Sequence, residues 1–186
     1  MKAKEIALIA IFASIWIAFQ ISLGPIVGRF RLGPLSLHGV VNLIVGWFLM
    51  LILAEICKKF GRVSVMAIIA AIGTRSARVS LVEGLIVGAG YALGGILFDV
   101  FFFIPITNNL RGKKRDVYLL VISSITGLIS LFPYLLLELS VLSIPAFIAK
   151  TPLYAYFALK SVIFSALGAT LGLIILPQVK NSAPLD

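Results

Sequence analysis

Runs of apolar residues about as long as a bilayer is thick recur along this chain, and they constrain its fold more than any other feature. A hydrocarbon core of about 30 Å takes about 20 helical residues, and a backbone in lipid must satisfy its own N–H and C=O groups, so such runs become helices. Six are predicted, over residues 6–23, 37–57, 63–73, 81–106, 117–142 and 152–176. The third covers only about 16 Å by helical rise. It therefore either continues through Arg75 and Ser76 or sits sheltered by its neighbours. With 61% hydrophobic residues and a mean hydropathy of +1.13, the chain reads as a multi-pass protein of the cell membrane. The opening MKAKEIALIAIFASIWIAFQISLG has a span-length apolar part and no small-residue cleavage site, so it is the first membrane helix and not a secretory leader.

Between the spans, LGPIVGRFRLGPLS holds Gly-Pro twice, KKFGR and NNLRGKKRD are basic turns, and LSIPAFIAKTP holds two prolines. All of these read as breaks. The expected fold is an all-α membrane protein, a compact six-helix bundle over residues 1–178, with a loose cytoplasmic tail over 179–186.

The formal charge of +9 does not imply nucleic acid, because the cations are scattered through short loops and form no stripe. Threading the helices alternately puts Lys2, Lys4, Lys58, Lys59, Arg62, Arg111, Lys113, Lys114, Arg115 and Lys180 on one side. The other side holds Arg29, Arg31, Arg75, Arg78 and Lys150, and the sixteenth cation, Lys160, lies inside the last span. This asymmetry places both termini in the cytoplasm. Cys57 is the single cysteine, which excludes an intrachain disulfide and any metal site built on paired cysteines.

The external side then gathers a candidate binding set. Arg29 and Arg31 come from the first loop, His38 and Asn42 from the start of the second span, and Arg75, Arg78 and Glu83 from the third connection. Glu138 lies at the end of the fifth span, and Tyr154, Tyr156 and Lys160 lie in the sixth. His38 with Asn42, and Tyr156 with Lys160, are helix-face neighbours that can point into one cavity. A plainer reading has Arg29, Arg31 and Lys150 reaching lipid headgroups, Arg75 and Arg78 capping a helix end, and His38 solvated. Lys160 resists it, because an ammonium near mid-bilayer costs about 2.5 to 3.5 kcal/mol and needs a partner or a hydrated cavity. Glu138 is the expected partner. Asp99, toward the cytoplasmic end of the fourth span, is expected to pair with a basic inner-loop residue, the alternative being that it marks a contact with another subunit.

Small residues form a second pattern. Ala3, Ala7, Ala10, Ser14 and Ala18 share a stripe of roughly 80° on the first helix, a face that another helix can approach closely. Similar spacings at Gly84, Gly88, Gly90 and Gly94, and at Gly168 and Gly172, suit internal packing. No catalytic motif is present: there is no Gly-x-Ser-x-Gly, His-Glu-x-x-His, phosphate-binding loop or carboxylate cluster for a divalent metal. No enzyme activity, metal or cofactor is expected.

Taken together, KEIALIAIFASIWIAF, the Gly-Pro loop leading to PLSLHGVVNLIVGWF, and FGRVSVMAIIAAIG followed by LVEGLIVGAGYALGGILF resemble the substrate-binding S components of energy-coupling factor (ECF) transporters. The resemblance implies capture of a small water-soluble vitamin or vitamin precursor in an outward-facing pocket between the first loop and the later helices. It also implies a transmembrane T component docked on the stripe from Ala3 to Ala18, two cytoplasmic ATPase subunits, and a lid made by residues 26–39. LSLHGVVN is similar to S components for thiamine precursors. Within that reading Arg29 and Arg31 close the lid, His38, Asn42, Tyr154 and Tyr156 contact a heteroaromatic ring, and Lys160 with Glu138 sets polarity. For a carboxylate or phosphate ligand, Arg75 or Arg78 is the natural clamp. The alternatives are a structural or assembly membrane protein and a stand-alone small-molecule carrier.

Overall fold

A helix that is apolar on every side belongs in the middle of a bundle. Val40–Cys57 (α3) is that helix: Leu43, Trp47, Met50, Leu51 and Leu53 are all buried around it. The computed structural model describes residues 1–32, 35–76 and 81–182. Before α3 come α1 (Ala3–Ser22), α2 (Gly24–Arg29) and a two-residue antiparallel ladder of β1 (Arg31–Leu32) with β2 (Leu35–Ser36). After it come α4 (Arg62–Ser76), α5 (Leu81–Phe102), α6 (Pro105–Asn109), α7 (Lys113–Ile129), α8 (Phe132–Val141), α9 (Ile144–Ala149) and α10 (Thr151–Ser182). Five stretches are long and apolar enough to cross a membrane: Ala3–Arg29, Val40–Cys57, Gly84–Phe102, Lys113–Val141 and Thr151–Val179. The chain is a helical, multi-pass membrane protein.

Missing side chains set the helix contacts. Gly46 of α3 leaves room for the Trp16 ring of α1, Gly168 of α10 lies against the Ile44 backbone, and Gly172 meets Leu51. Gly95 of α5 meets Ala67 of α4 and Met50, while Gly127 of α7 meets Ser161 and Ser165 of α10. Such approach brings backbones close where lipid supplies no hydrophobic drive between helices. Two indoles fix the register. Trp16 Nε1 donates to Asn42 Oδ1 at 2.5 Å, and Trp47 Nε1 donates to Thr126 Oγ1 at 2.9 Å.

Several boundaries differ from the sequence reading, each for a local reason. The short third span does continue through Arg75 and Ser76, and at 15 residues it falls outside the five long spans. One face of α4 is bare, with Val65, Ile68, Ile69 and Ile72 exposed, so it is not sheltered all round. The fifth span is interrupted at Ser130 and Leu131, because Pro133 at the start of α8 has no N–H to continue the ladder. Pro105 likewise separates α5 from α6. Pro25 and Pro145 open short helices, α2 and α9, inside segments expected to be loops. Finally, α10 runs to Ser182, so the first residues of the expected loose tail are helical.

One end of the bundle is stapled by charge. Glu5, which accepts from the Lys2 N–H at the start of α1, also receives Lys59 Nζ at 2.5 Å and Arg62 at 2.8 Å. Glu55 of α3 pairs with Arg115 of α7. Asp99 does not pair with a cation among the described residues, contrary to expectation. Its Oδ2 instead accepts from the Gly61 N–H at 2.7 Å, the Ser64 N–H at 3.1 Å and the Ser64 hydroxyl at 2.7 Å. A carboxylate from α5 thus caps the free N–H groups at the start of α4, across a turn in which Gly61 has φ +88°.

Two substitutions test this packing. Asp99→Ala, which strips three donors of their acceptor, should cost about 1 to 3 kcal/mol. Gly168→Ala drives a methyl into the Ile44 backbone and should cost about 1 to 3 kcal/mol or more, whereas Ala7→Leu on an exposed face should be near neutral. Thermal unfolding of the three variants in one detergent provides the comparison.

Candidate functional site

At the end of the bundle opposite these staples, the chain between α1 and α3 folds over the helix ends. Gly39 makes this possible by adopting φ +85° immediately before α3. Ser36 organises the segment. Its hydroxyl donates to the Gly28 carbonyl at 3.2 Å and accepts from the His38 N–H at 3.1 Å. The Leu37 N–H donates to the Phe30 carbonyl. From α10, Tyr156 donates to the Ser36 carbonyl at 3.0 Å, and Lys160 Nζ donates to the carbonyls of His38 at 2.9 Å and Ser36 at 3.4 Å.

Beneath this segment lies a cavity of about 250 Å³. Ser36, His38 and Gly39 of the covering segment line it, with Leu43 of α3, Arg75 of α4, and Val87 and Tyr91 of α5. The interruption between α7 and α8 contributes Ser130 and Leu131, α8 contributes Tyr134, and α10 contributes Phe157, Lys160 and Ser161. Arg75 is 4% exposed and lies 5.5 Å from the centre of the Tyr91 ring. Gly84 and Gly88 on α5 create the groove in which its aliphatic stem rests. Lys160 is 9% exposed, with Nζ 4.9 Å from the Phe157 ring centre and 5.3 Å from that of Tyr156. Tyr91 meets Trp47 edge-on, and Tyr134 meets Phe157 edge-on, so the aromatic walls are held from behind.

Of the residues singled out from sequence, His38, Arg75 and Lys160 line the cavity. The other described ones are not among its lining residues. His38 and Asn42 do not share a helix face, because the left-handed Gly39 starts α3 after His38. Asn42 is 1% exposed and turned to Trp16. Arg29 is exposed at the end of α2. Glu138 pairs with Lys150 at 2.8 Å and not with Lys160, and it also accepts from Tyr134 and Tyr154. That hydrogen bond holds the Lys150 ammonium above the ordinary lysine range. Tyr154 therefore serves the Glu138 network, with its ring tilted on Phe147. Tyr156 secures the covering segment. Arg78, and the side chains of Arg31 and Glu83, lie outside the described residues.

Tyr91, Tyr134, Ser130 and Phe157 were not singled out. Tyr134 follows Pro133, and a proline within an apolar run signals a break whose unwound turn must face protein or a cavity. Tyr91 carried no comparable signal. The five small residues Ala3, Ala7, Ala10, Ser14 and Ala18 are all exposed, while Glu5, Ile9, Ala13, Trp16 and Gln20 turn the other face of α1 inward. No protein-family model matches this chain, and no curated protein or solved structure matches it.

Lys160 is the main tether of the covering segment, and Tyr156 is the lesser one. In Lys160→Met, hydrogen exchange at the Leu37 and Val40 amides should quicken by about ten- to a hundredfold, the equivalent of a lost charged hydrogen bond. Tyr156→Phe should quicken it by about tenfold or less.

Proposed function

We propose that this chain is the substrate-capture subunit of an ECF-type importer, binding a small water-soluble vitamin or vitamin precursor. The observation that carries the reading is the cavity itself, in which polar and cationic groups converge with aromatic walls under a covering segment. A protein whose polar residues served only topology would not need Arg75 and Lys160 buried around one hollow, since cations reach headgroups more cheaply from helix ends. The space of about 250 Å³ suits a single-ring compound. The end stapled by Glu5, Lys59, Arg62 and Arg115 is the cytoplasmic one in this reading, and the cavity faces outward.

The exposed small-residue stripe of α1 adds a second support. It is bare of bulky groups along Ala3, Ala7, Ala10, Ser14 and Ala18, while the helix's own packing uses the opposite face. A T component can seat a helix there at close range, and two ATPase subunits bound to that component supply the energy. The thiamine-precursor likeness of LSLHGVVN narrows the ligand to a heteroaromatic compound.

The test is assembly and transport together. Expressed with a T component and ATPases, the chain should co-purify with them and support ATP-dependent uptake. Ala7→Trp with Ala10→Trp should abolish co-purification and leave thermal stability and ligand binding unchanged. Uptake in a host lacking the ATPases would overturn the reading in favour of a carrier, and retention of the complex in the double variant would overturn the docking face.

A further inference from the structure

We infer that the occupant of the cavity is a small flat ring compound carrying one anionic group, a carboxylate, set against Lys160. This deepens the binding-subunit reading and rests on it. Lys160 is the first ground. Its contacts are the Ser36 and His38 carbonyls and the faces of Tyr156 and Phe157, all neutral. Carbonyl oxygens and ring faces solvate an ammonium and leave its charge uncompensated. Among the described residues no carboxylate pairs with it. The nearest candidate by sequence, Glu138, is engaged by Lys150, Tyr134 and Tyr154.

The second ground is the sign of the lining. Its described residues include the cation Lys160 and no Asp or Glu to answer it. A cationic ring compound entering here meets the Lys160 ammonium in a medium of low dielectric, whereas a carboxylate gains a charge-assisted donor from it. The third ground is shape. Tyr91, Tyr134 and Phe157 offer ring faces and edges to a flat body, and Leu43, Val87 and Leu131 offer no polar partner. The charge of the ligand is thus read at one place in the cavity and its ring at another.

Three pyridine derivatives of nearly equal size isolate the charge: nicotinate, nicotinamide and the ring-methylated cation 1-methylnicotinamide, titrated by calorimetry into the full purified chain in detergent. Nicotinate should bind at least about tenfold more tightly than the N-methyl cation, with the neutral amide between them. In Lys160→Gln, whose amide still donates to the covering segment, this preference should shrink to about threefold or less. Tyr156→Phe loosens the same segment without touching the charge, and the preference should persist in it. Equal or tighter binding of the cation overturns the inference, as does no binding of any of the three at millimolar concentration. So does a preference that survives Lys160→Gln or vanishes equally in Tyr156→Phe. Co-purification with a T component and ATPases is read separately, so a wrong ligand class and a wrong importer reading give different results.

Discussion

Lipid tails are as apolar as leucine, so burying leucine against leucine does little to gather helices within a bilayer. What gathers them here is close approach at small residues around α3. The rings of Trp16 and Trp47 settle where glycine makes room, at Gly46 and beside Gly94, and each indole N–H finds a side-chain oxygen on a facing helix. Gly168 and Gly172 let α10 run along α3 at backbone distance. The position of Lys160 under the covering segment follows from that contact, because α10 cannot slide without Gly168 striking the Ile44 backbone.

The polar residues then divide by depth. At one end, Glu5 and Glu55 are met by Lys59, Arg62 and Arg115, and Asp99 Oδ2 by the amides at the start of α4. Toward the other end the carboxylate Glu138 is used up in a network with Lys150 and two tyrosine hydroxyls, while Lys160 rests on main-chain carbonyls. The same side-chain chemistry therefore yields a staple at one end and a receptive hollow at the other. Among the described residues, the difference lies in whether a carboxylate is within reach of the cation.

Much of this architecture could be read from residue order, and the parts that could not share one cause. Span existence follows from apolar run length, which is why α1, α3, α5 and α10 lie where expected. The inward turn of the α5 glycines, and the polar tension at Lys160, were also legible. Partner choice was not. Lys160 and Glu138 are complementary charges on adjacent spans, yet the short α9 and its neighbour Lys150 bring a second cation nearer to Glu138. Asn42 shows the same effect, since spacing placed it with His38 and only the left-handed Gly39 separates them. Helical periodicity fixes direction within one helix and is silent across a break.

Those breaks bear directly on the cavity. In a bilayer, backbone that leaves the helical ladder survives only where protein or an aqueous hollow satisfies it. Among the described residues the Ser130–Leu131 interruption and the Ser36–Gly39 segment are such places, and both line the same space. At the first, the Ser130 hydroxyl donates to the Gly127 carbonyl at 2.6 Å, and its own carbonyl lies against Gly90. At the second, the carbonyls of Ser36 and His38 are taken up by Tyr156 and Lys160. Each irregular segment thus spends its polar groups on holding itself in place. The charge left over for anything that enters belongs to Lys160, because neutral carbonyls can orient an ammonium but cannot cancel it.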